Sequence, residues 1–456
     1  MKRLTLTLTL LFVTLYSLAQ MAMPTILPMR ERARVMDEIL EERFTTLLPG
    51  MMEETGIDMW LVIAREYNED PVIRTMLPAT WLNARRRTIL VIHNHPERGV
   101  EGLAIARYNV GNLFTSAWNP EEQPDQWERL VEVIQERDPE TIGINVADIY
   151  NHADGLTHQE HEYLMEALPS KYAKRVQPAE ELAVRWLETR TNRELAMYKQ
   201  VNRIAHAIVD EALSERVIQP GATTTDDVEW WFRERVAELK LNTWFHPSCD
   251  ITRPDPDNKE QNRSFSQRSG SNVIMPGDLV HIDFGITYLR MNTDTQRNAY
   301  VLKPGESAPP AGLLEAFQQG RRLQDIMTSK FRDGITGNEI LSATRKQAIE
   351  EDITPSIYSH PIGYHGHAAG TSIGLWDNQN GIPTGEHPLQ NNTAYAIELN
   401  ARVYVPEWDK EIRVMLEEDA AYSNGKVYYI DGRQEQLYLI PRRVGVSEKI
   451  NKYNER

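Results

Sequence analysis

Four acidic residues interrupt apolar, strand-like segments of this 456-residue chain, and no other feature constrains its fold as strongly. One such acid is typical of an edge strand, where a carboxylate reaches solvent. Four acids in four strand contexts are harder to assign to edges, and carboxylates gathered in a core repel each other unless a proton or cation separates them. The pattern therefore indicates a fold that brings these acids to a metal. They are Asp283, Asp294, Glu398 and Glu417.

The first two acids lie eleven positions apart in the stretch HIDFGITYLRMNTD. Because eleven is an odd offset, they would face opposite sides of a single straight strand. A reversal of the chain near Tyr288 and Leu289 would instead make Asp283 and Asp294 cross-strand partners on one face. We therefore predict a hairpin that pairs these two aspartates.

Histidines suited to the same metal lie in the glycine-rich stretch YSHPIGYHGHAAG, which contains His360, His365 and His367. Imidazole nitrogen is a ligand that transition metals favour, and carboxylates bridge pairs of such ions. Two aspartates, one histidine and two glutamates are therefore consistent with a two-metal site.

Net charge and the first residues narrow the class of protein. A net charge of −16 leaves no basic surplus for phosphate backbones, so we expect no nucleic-acid partner.

Residues 1–19, with Lys2 and Arg3 ahead of a threonine-interrupted apolar run, are typical of a cleaved signal peptide. That run is too short and too rich in threonine for a comfortable membrane span. We therefore predict a periplasmic or secreted protein with no membrane attachment after cleavage.

The chain has a single cysteine, Cys249, so an intramolecular disulfide is excluded. A nucleophilic thiol is one interpretation, but a structural thiol is the commoner role of a lone cysteine. We favour the structural role.

Apolar runs alternate with helix-like stretches between residues 31 and 187, which is typical of an α/β domain with its own sheet. The helix-like stretches are Glu128–Asp138 and His161–Leu168. The strand-like runs are Met59–Ala64, Thr88–His93, Gly102–Tyr108 and Thr141–Val146.

A second block begins at Thr191, where Thr-Asn-Arg-Glu forms a capping box ahead of a long amphipathic helix. This block contains an internal echo about 113 positions apart, since PGATTTDDV (220–228) and DGITGNEI (333–340) each place a Gly-x-Thr turn before a helix. The echo predicts a pseudo-twofold α+β domain over 188–445, with any shared site between its halves. Strand-rich segments follow the second turn, at 392–405 and 412–422.

The order Asp, eleven residues on Asp, then His, Glu and Glu resembles that of the pita-bread metallopeptidases, which include methionine aminopeptidase, Xaa-Pro aminopeptidase and prolidase. Residues 31–187 are similar to the N-terminal domain of the creatinase, prolidase and Xaa-Pro aminopeptidase branch. Residues 188–445 are similar to the catalytic domain, whose duplicated halves explain the echo. The resemblance implies an α+β chain in which a creatinase-like α/β domain precedes a pseudo-twofold pita-bread catalytic domain.

The resemblance also implies a role for each ligand. Asp283 of GDLVHIDFG would chelate one metal ion. His360 of SHPIGYHGH and Glu398 of AIEL would bind the other. Asp294 of NTDTQR and Glu417 of LEED would bridge the two ions.

Two residues carry catalytic expectations. Glu398, beside the attacking water, is the expected proton shuttle. His367, seven residues after His360, matches a histidine that contacts substrate in the family, and the alternative is a loop histidine satisfied by backbone. His365 has no counterpart in the family, and we expect it to pack or to face solvent.

The implied activity is dinuclear metal-dependent hydrolysis of the Xaa-Pro bond of small peptides, as in an Xaa-Pro aminopeptidase or a prolidase. Two divalent cations lower the pKa of a bridging water, so that hydroxide is available near neutral pH. Manganese is the expected metal, while zinc, cobalt and iron also suit a His-carboxylate site. Relatives with this N-terminal domain are commonly dimers, so the resemblance implies a homodimer.

The sequence departs from the family pattern at two histidines. Ser266 stands about 17 residues before the first metal aspartate, where the family has a histidine, and Ser356 stands near the place of another. His246 in TWFHPSCD is a candidate to replace the first of them. Two alternatives remain: a same-fold non-peptidase, such as a creatinase-like C–N hydrolase or a lyase, and a catalytically silent binding protein. Creatinase-like members lose ligands, whereas all five persist here, which favours the peptidase.

Overall fold

The computed structural model describes residues 23–95, 97, 99–254 and 271–442. Three predictions lie outside these residues: the signal peptide at 1–19, Ser266, and the end of the second domain beyond 442. Among the helices of the described residues, none combines the length and the apolarity needed to cross a membrane.

The first part of the chain forms a six-stranded sheet. Its strands are β1 (Met59–Arg65), β2 (Arg87–His95), β3 (Gly99–Ile105), β4 (Thr115–Ser116), β5 (Ile142–Ile144) and β6 (Val176–Pro178). They lie in the order β4-β3-β2-β1-β5-β6, with β1 antiparallel to β2 and parallel to β5. All four predicted strands are confirmed, with small shifts at their ends.

Helices cover both faces of this sheet, which explains the uninterrupted apolar run of β1. Trp60 and Val62 face one hydrophobic core, whereas Leu61 and Ile63 face the other. The helices of this part are α1 (Met29–Thr46), α2 (Leu48–Thr55), α3 (Pro71–Met76), α4 (Gln126–Arg137), α5 (His158–Ala167), α6 (Ser170–Ala173) and α7 (Glu180–Glu188). Two of them, α4 and α5, confirm the predicted helices, with shifted ends.

Two helix pairs frame the second part of the chain. They are α8 (Asn192–Ala212) with α9 (Thr225–Glu238), and α10 (Ala311–Thr328) with α11 (Gly337–Glu350). The predicted capping box at Thr191 begins α8. Capping boxes also begin α9 at Thr224 and α11 at Thr336, at the two Gly-x-Thr turns. The predicted echo therefore corresponds to two similar helix–turn–helix units.

The strands of this part form three sheets and one hairpin. They are β7 (Ser248–Thr252), β8 (Leu279–Phe284), β9 (Thr287–Tyr288), β10 (Met291–Asn292), β11 (Thr295–Val301), β12 (Thr354–Ile357), β13 (His360–Pro361), β14 (Thr393–Ala396), β15 (Leu399–Val405), β16 (Lys410–Leu416), β17 (Asp419–Ser423), β18 (Lys426–Tyr429) and β19 (Tyr438–Ile440). The sheets have the orders β19-β11-β8-β7, β12-β15-β16 and β13-β14-β17-β18, and β9 pairs with β10.

The hairpin that carries the two aspartates reverses one residue later than predicted. Its turn is at Leu289 and Arg290, which both have positive φ, 54° and 63°. Because every cross-strand pair moves with the turn, Asp283 on β8 lies opposite Gln296 of β11. The predicted pairing of Asp283 with Asp294 is therefore wrong, and Asp294 is instead the diagonal neighbour on the same face.

At three neighbouring places in the fold, two consecutive strands are separated by a break of two residues. At each break the chain leaves one sheet and enters another. The breaks lie at 358–359, 397–398 and 417–418. The segments 392–405 and 412–422, which the sequence predicted as continuous strands, therefore each contain two strands. Glu398 and Glu417 lie in these breaks. The side chains of these two glutamates therefore do not follow the alternation of inward and outward residues along a strand. The strands before and after each break keep their hydrogen-bonded pairing.

A buried ion cluster joins the first helix to the second part of the chain. Arg43 of α1 lies 2.7 Å from Glu194 at the start of α8, and Arg190 lies 3.2 Å from the same carboxylate, with side chains at most 1% exposed. Both guanidinium groups also lie over the ring of Tyr364, at 5.3 and 4.9 Å from its centre. Such cation–π contacts add to the ion pairs, so the cluster fixes the turn that holds Tyr364.

Replacement of Glu194 by alanine leaves two buried guanidinium groups without their carboxylate. Removal of one partner from a buried ion pair costs about 3–5 kcal/mol, so we expect Glu194→Ala to lower the free energy of unfolding by that amount. Chemical denaturation followed by circular dichroism measures the change. Glu31→Ala, which removes an exposed partner of Arg34, is the control and should unfold close to wild type. A Glu194→Ala protein as stable as this control would contradict the role of the cluster.

Candidate metal centre

Five side chains converge where the strands break. Three overlapping groups among the described residues have ligand atoms within 4.8 Å of one another, and two of them contain only predicted ligands. Asp283, Asp294 and Glu417 form one of these two, and His360, Glu398 and Glu417 form the other, while the third contains Asp294, His360 and His367. Glu417 is common to both groups of predicted ligands. The structure therefore brings together all five residues that the sequence nominated as ligands.

The local fold directs His360 into this centre. It begins β13 and pairs with Ala396 of β14. Its Nδ1 lies 3.0 Å from the carbonyl oxygen of Pro361, and a proton on Nδ1 leaves the lone pair of Nε2 for a ligand. Nε2 lies 3.7 Å from Glu417 Oε1 and 4.0 Å from Asp294 Oδ2. An imidazole acceptor thus faces two carboxyl groups at distances longer than a hydrogen bond.

Four ligand atoms are buried without a hydrogen-bond partner in the described part of the chain. They are Asp283 Oδ1, Asp294 Oδ1, His360 Nε2 and Glu417 Oε1. A buried polar atom that lacks a partner costs about 1–3 kcal/mol, so four such atoms in one place need an explanation. Carboxylate oxygens with one imidazole nitrogen form a donor set that suits divalent transition metals. The residues present therefore fit a pair of metal ions.

Burial and mutual repulsion make the cluster resist ionisation. Burial raises the pKa of Asp283 to about 7, and burial with repulsion from Asp283 raises that of Glu398 to about 8. The same two causes raise the pKa values of Asp294 and Glu417. Burial lowers the pKa of His360 to about 3, so its imidazole is neutral. The site therefore requires protons or cations to balance its carboxylates.

His367 lies above the ligands and is the most exposed of the three histidines in its stretch. Its ring packs edge-on against the rings of His360 and Trp244, with centres 4.7 and 5.2 Å apart. One of its nitrogens lies within 4.8 Å of ligand atoms of Asp294 and His360. This position allows His367 to contact a molecule bound at the metals.

His365 packs against the first domain instead. Its ring centre lies 4.6 Å from that of His152, and burial lowers its pKa to about 3. The expectation that His365 packs is confirmed. Nearby, the hydroxyl of Tyr150 donates to the carbonyl oxygen of Gly370 at 3.0 Å. The first part of the chain thus supports the histidine turn from one side.

Ser356, which stands near the place of a histidine of the family pattern, lines a small cavity beside the ligands. Ser356 shares this cavity with Gln296, Tyr358, Trp376 and Glu398. A histidine ring at this position would fill space that the serine leaves open. The departure from the family pattern therefore changes the surroundings of a ligand.

His246, the candidate substitute, has partners of its own. Its Nε2 lies 3.5 Å from Glu229 and its Nδ1 lies 3.2 Å from Arg233. Its ring packs against Trp230 at 5.3 Å. It belongs to none of the groups suited to a metal among the described residues. Its role as a substitute stays a prediction.

Two polar residues near the ligands belong to no predicted site. Gln296 contacts both glutamate ligands, and His281 contacts Gln296. Each lies two positions from a predicted aspartate, so the period of two along a strand places them on the same face. That spacing was the sequence signal that could have identified both residues.

Cys249 is 1% exposed, and burial raises the pKa of its thiol, which fits the structural role.

The family model for metallopeptidase family M24 matches residues 196–424, half of the chain, and this range contains all five converging residues. This chain belongs to metallopeptidase family M24. The predicted family and the metallopeptidase class are therefore confirmed, and family membership agrees with a site built for a metal pair.

Solved structures similar to this M24 protein show its fold. An X-Pro aminopeptidase from Thermotoga maritima MSB8 has a TM-score of 0.61 at 16% identity, covering 86% of this chain and 99% of that one. An Xaa-Pro dipeptidase from Bacillus anthracis has a TM-score of 0.55 at 19% identity, covering 89% and 99%. A prolidase from Pyrococcus furiosus has a TM-score of 0.54 at 16% identity, covering 85% and 100%. The predicted fold class is confirmed. No curated protein sequence matches the chain.

The metal-free M24 protein should lose stability as pH rises through neutrality. The folded-state pKa values of Asp283 and Glu398, about 7 and about 8, exceed their ordinary values of 3.8 and 4.5. Their contribution to stability is therefore complete below the ordinary values and is lost as pH passes the folded-state values. His360 opposes this trend only below its ordinary value of 6.5. We expect the Tm of chelator-treated protein to fall between pH 6.5 and pH 8.

Differential scanning calorimetry of chelated and Mn²⁺-loaded protein over that range measures the effect. The metal-loaded protein is the control, because bound cations keep the carboxylates ionised and its Tm should not fall in the same way. A metal-free protein whose Tm does not fall over this range would show that the pKa values of the carboxyl groups are not raised in the folded state.

Proposed function

We propose that this M24 protein is a dinuclear metal-dependent exopeptidase that hydrolyses the Xaa-Pro bond of small peptides. The observation that carries the proposal is the convergence of five ligand residues in the order of the family, with unpartnered ligand atoms facing one another within the described residues. The names of similar structures, an X-Pro aminopeptidase and an Xaa-Pro dipeptidase among them, support the choice of substrate.

In this proposal, Asp283 chelates one ion, His360 and Glu398 bind the other, and Asp294 and Glu417 bridge them. The membership of Glu417 in both groups of ligand atoms supports its bridging role. Asp294 lies beside Asp283 and also 4.0 Å from His360, which supports the same role. When bound, the metal pair supplies hydroxide near neutral pH and polarises the carbonyl group of the scissile amide.

Glu398 is the proton shuttle of the proposal. Its side chain is partly exposed, whereas Glu417 is 1% exposed, so Glu398 is the glutamate that a bound peptide reaches. Gln296 donates to Oε1 of Glu398 at 2.9 Å, which leaves Oε2 to accept a proton and to deliver it to the leaving amine.

His367 donates a hydrogen bond to the substrate in this proposal. Negative charge develops on the carbonyl oxygen of the scissile amide, and a fixed N–H donor beside that oxygen lowers the barrier. The ring contacts of His367 with His360 and Trp244 hold its orientation. The imidazole is thereby kept above the metal ligands and open to the peptide.

A same-fold enzyme with another substrate is the second candidate, and Ser356 favours it. Ser356 lines the cavity beside Glu398, together with Tyr358 and Trp376, and it stands near the place of a family histidine. A change of polar partner in a site can alter substrate choice by several orders of magnitude. A creatinase-like C–N hydrolase or a lyase would leave Xaa-Pro peptides intact, and a silent binding protein would bind peptide without turnover.

Three further features belong to the proposal. We propose Mn²⁺ as the metal, among ions that also include zinc, cobalt and iron. We propose export to the periplasm or the medium, which the composition of residues 1–19 supports. We propose a homodimer, which the resemblance of residues 31–187 to a domain of dimeric relatives supports.

The decisive assay loads the purified protein with Mn²⁺ and offers Xaa-Pro dipeptides beside longer peptides with proline in second position. We expect cleavage of the Xaa-Pro bond, abolished by chelation. Cleavage of dipeptides alone identifies a prolidase, and cleavage of longer peptides identifies an aminopeptidase. Chelator-resistant cleavage, or metal-loaded protein that leaves every Xaa-Pro peptide intact, would overturn the proposal.

Asp294→Ala tests the bridging role of Asp294 in the same assay. It removes a bridge between the ions, so we expect turnover to fall on the order of 10³-fold or more, because the metal pair activates the water. Glu417→Ala should behave alike. Asp325→Ala, which removes a surface partner of Arg433, is the control and should keep wild-type turnover and metal content. Wild-type turnover with two bound ions in Asp294→Ala would refute its bridging role.

His367→Ala separates substrate contact from metal binding. Loss of one donor to the developing charge lowers turnover by about 10²–10³-fold, and we expect that range with unchanged metal content. Elemental analysis and steady-state kinetics give both quantities. Lost metal would make His367 a ligand instead. His246→Ala in the same assay decides the other question, since unchanged turnover excludes His246 as the substitute histidine.

A further inference from the structure

Gln296 contacts two of the glutamate ligands at once. Its amide nitrogen lies 2.9 Å from Glu398 Oε1 and 3.0 Å from Glu417 Oε2. The residue is 3% exposed and lies on β11 opposite Asp283 of β8. One side chain therefore ties together two ligands that come from different strand breaks.

The chemistry of the partners fixes the orientation of this amide. Ionised carboxylates only accept hydrogen bonds, so both glutamates face the NH₂ group and not the carbonyl oxygen. The NH₂ group has two protons, one for each glutamate. The carbonyl oxygen of Gln296 then faces His281 Nε2 at 3.0 Å, and the imidazole donates to it.

His281 is itself held in place by the sheet. It is 8% exposed, and its position on β8 pairs with Asn298 of β11 on one side and with Asp250 of β7 on the other. Close packing in the middle of a four-stranded sheet restricts rotation of the ring. His281 therefore donates from a fixed position and holds the amide oxygen of Gln296 in one orientation.

These contacts also decide which glutamate oxygen remains for a cation. Glu417 accepts from Gln296 through Oε2, while its Oε1 is buried and has no hydrogen-bond partner in the described residues. Oε1 is the atom that lies 3.7 Å from His360 Nε2. The backbone N–H of Gln296 also donates to the carbonyl oxygen of Glu417 at 3.1 Å, which holds the two residues in register.

We propose that Gln296, oriented by His281, is a positioning residue that holds Glu398 and Glu417 in the geometry that binds metal. Without this amide, the two carboxylates repel each other and rotate apart. The inference rests on the metal site of the proposed function and is independent of the peptide substrate.

Gln296→Met tests the proposal. Methionine keeps the length and approximate volume of glutamine and removes the donor, while the backbone bond to Glu417 remains. Loss of an outer hydrogen bond to a metal ligand typically weakens metal binding 10–100-fold, so we expect the dissociation constant for Mn²⁺ to rise by about that factor. Isothermal titration calorimetry on the full chain gives the affinity and the number of ions. The visible spectrum of Co²⁺-loaded protein should change as well, because it reports ligand geometry.

Gln434→Met is the matched control. Gln434 is also buried and bonds to the same strand through the backbone of Asn298, but its side-chain bonds in the described residues reach none of the five ligands. This variant should lower stability and leave Mn²⁺ affinity unchanged. The comparison separates a loss of packing from a loss of ligand positioning.

His281→Leu tests the same proposal if the Gln296→Met protein does not fold. It removes the donor to the amide oxygen, so we expect weaker Mn²⁺ binding by a smaller factor. Wild-type Mn²⁺ affinity in folded Gln296→Met overturns the proposal, and where that variant does not fold, wild-type affinity in His281→Leu overturns it. A wild-type protein that binds two Mn²⁺ but cleaves no Xaa-Pro peptide overturns the proposed function alone.

Discussion

Repulsion among buried carboxylates is the constraint on which the second part of the structure depends. Asp294 and Glu417 are at most 4% exposed, and burial with neighbouring acids raises both pKa values. A core that gathers such groups is stable only where protons or cations balance them. The strand breaks at 397–398 and 417–418 make the gathering geometrically feasible. At each break the backbone leaves one sheet, presents a carboxylate and enters the next sheet, so ladder hydrogen bonds continue on both sides.

The first part of the chain, with the six-stranded sheet, contributes support to this site and none of its five ligands. Arg43 reaches across to the ring of Tyr364, and the hydroxyl of Tyr150 bonds to the carbonyl oxygen of Gly370. These contacts lie on either side of His367 in the sequence. A turn held at both ends keeps an exposed imidazole at a constant distance from the ligands. Such fixed placement is what a group that orients a substrate needs, since small displacements at a reacting centre are costly.

Charge inside apolar segments is rare enough to stand out, so the ligands were predictable, and the alternation of apolar runs with helix-like stretches predicted the α/β sheet of the first part of the chain. The turn of the aspartate hairpin was not predictable to one residue, because Leu289 and Arg290 are residue types that give no sign of positive φ. Gln296 and the strand breaks escaped for another reason. Both depend on contacts between segments far apart in the chain, 102 and 121 positions for the two contacts of Gln296. Local periodicity shows which face a residue lies on but not which distant residue it meets.

The place of Glu417 in the chain has a consequence for biosynthesis. Glu417 completes both groups of ligand atoms, yet it lies 134 positions after Asp283. A nascent chain therefore has neither half of the centre until the segment that carries Glu417 has left the ribosome. Ions that bind this centre are thus acquired only after the intervening segment has been synthesised and has folded around it.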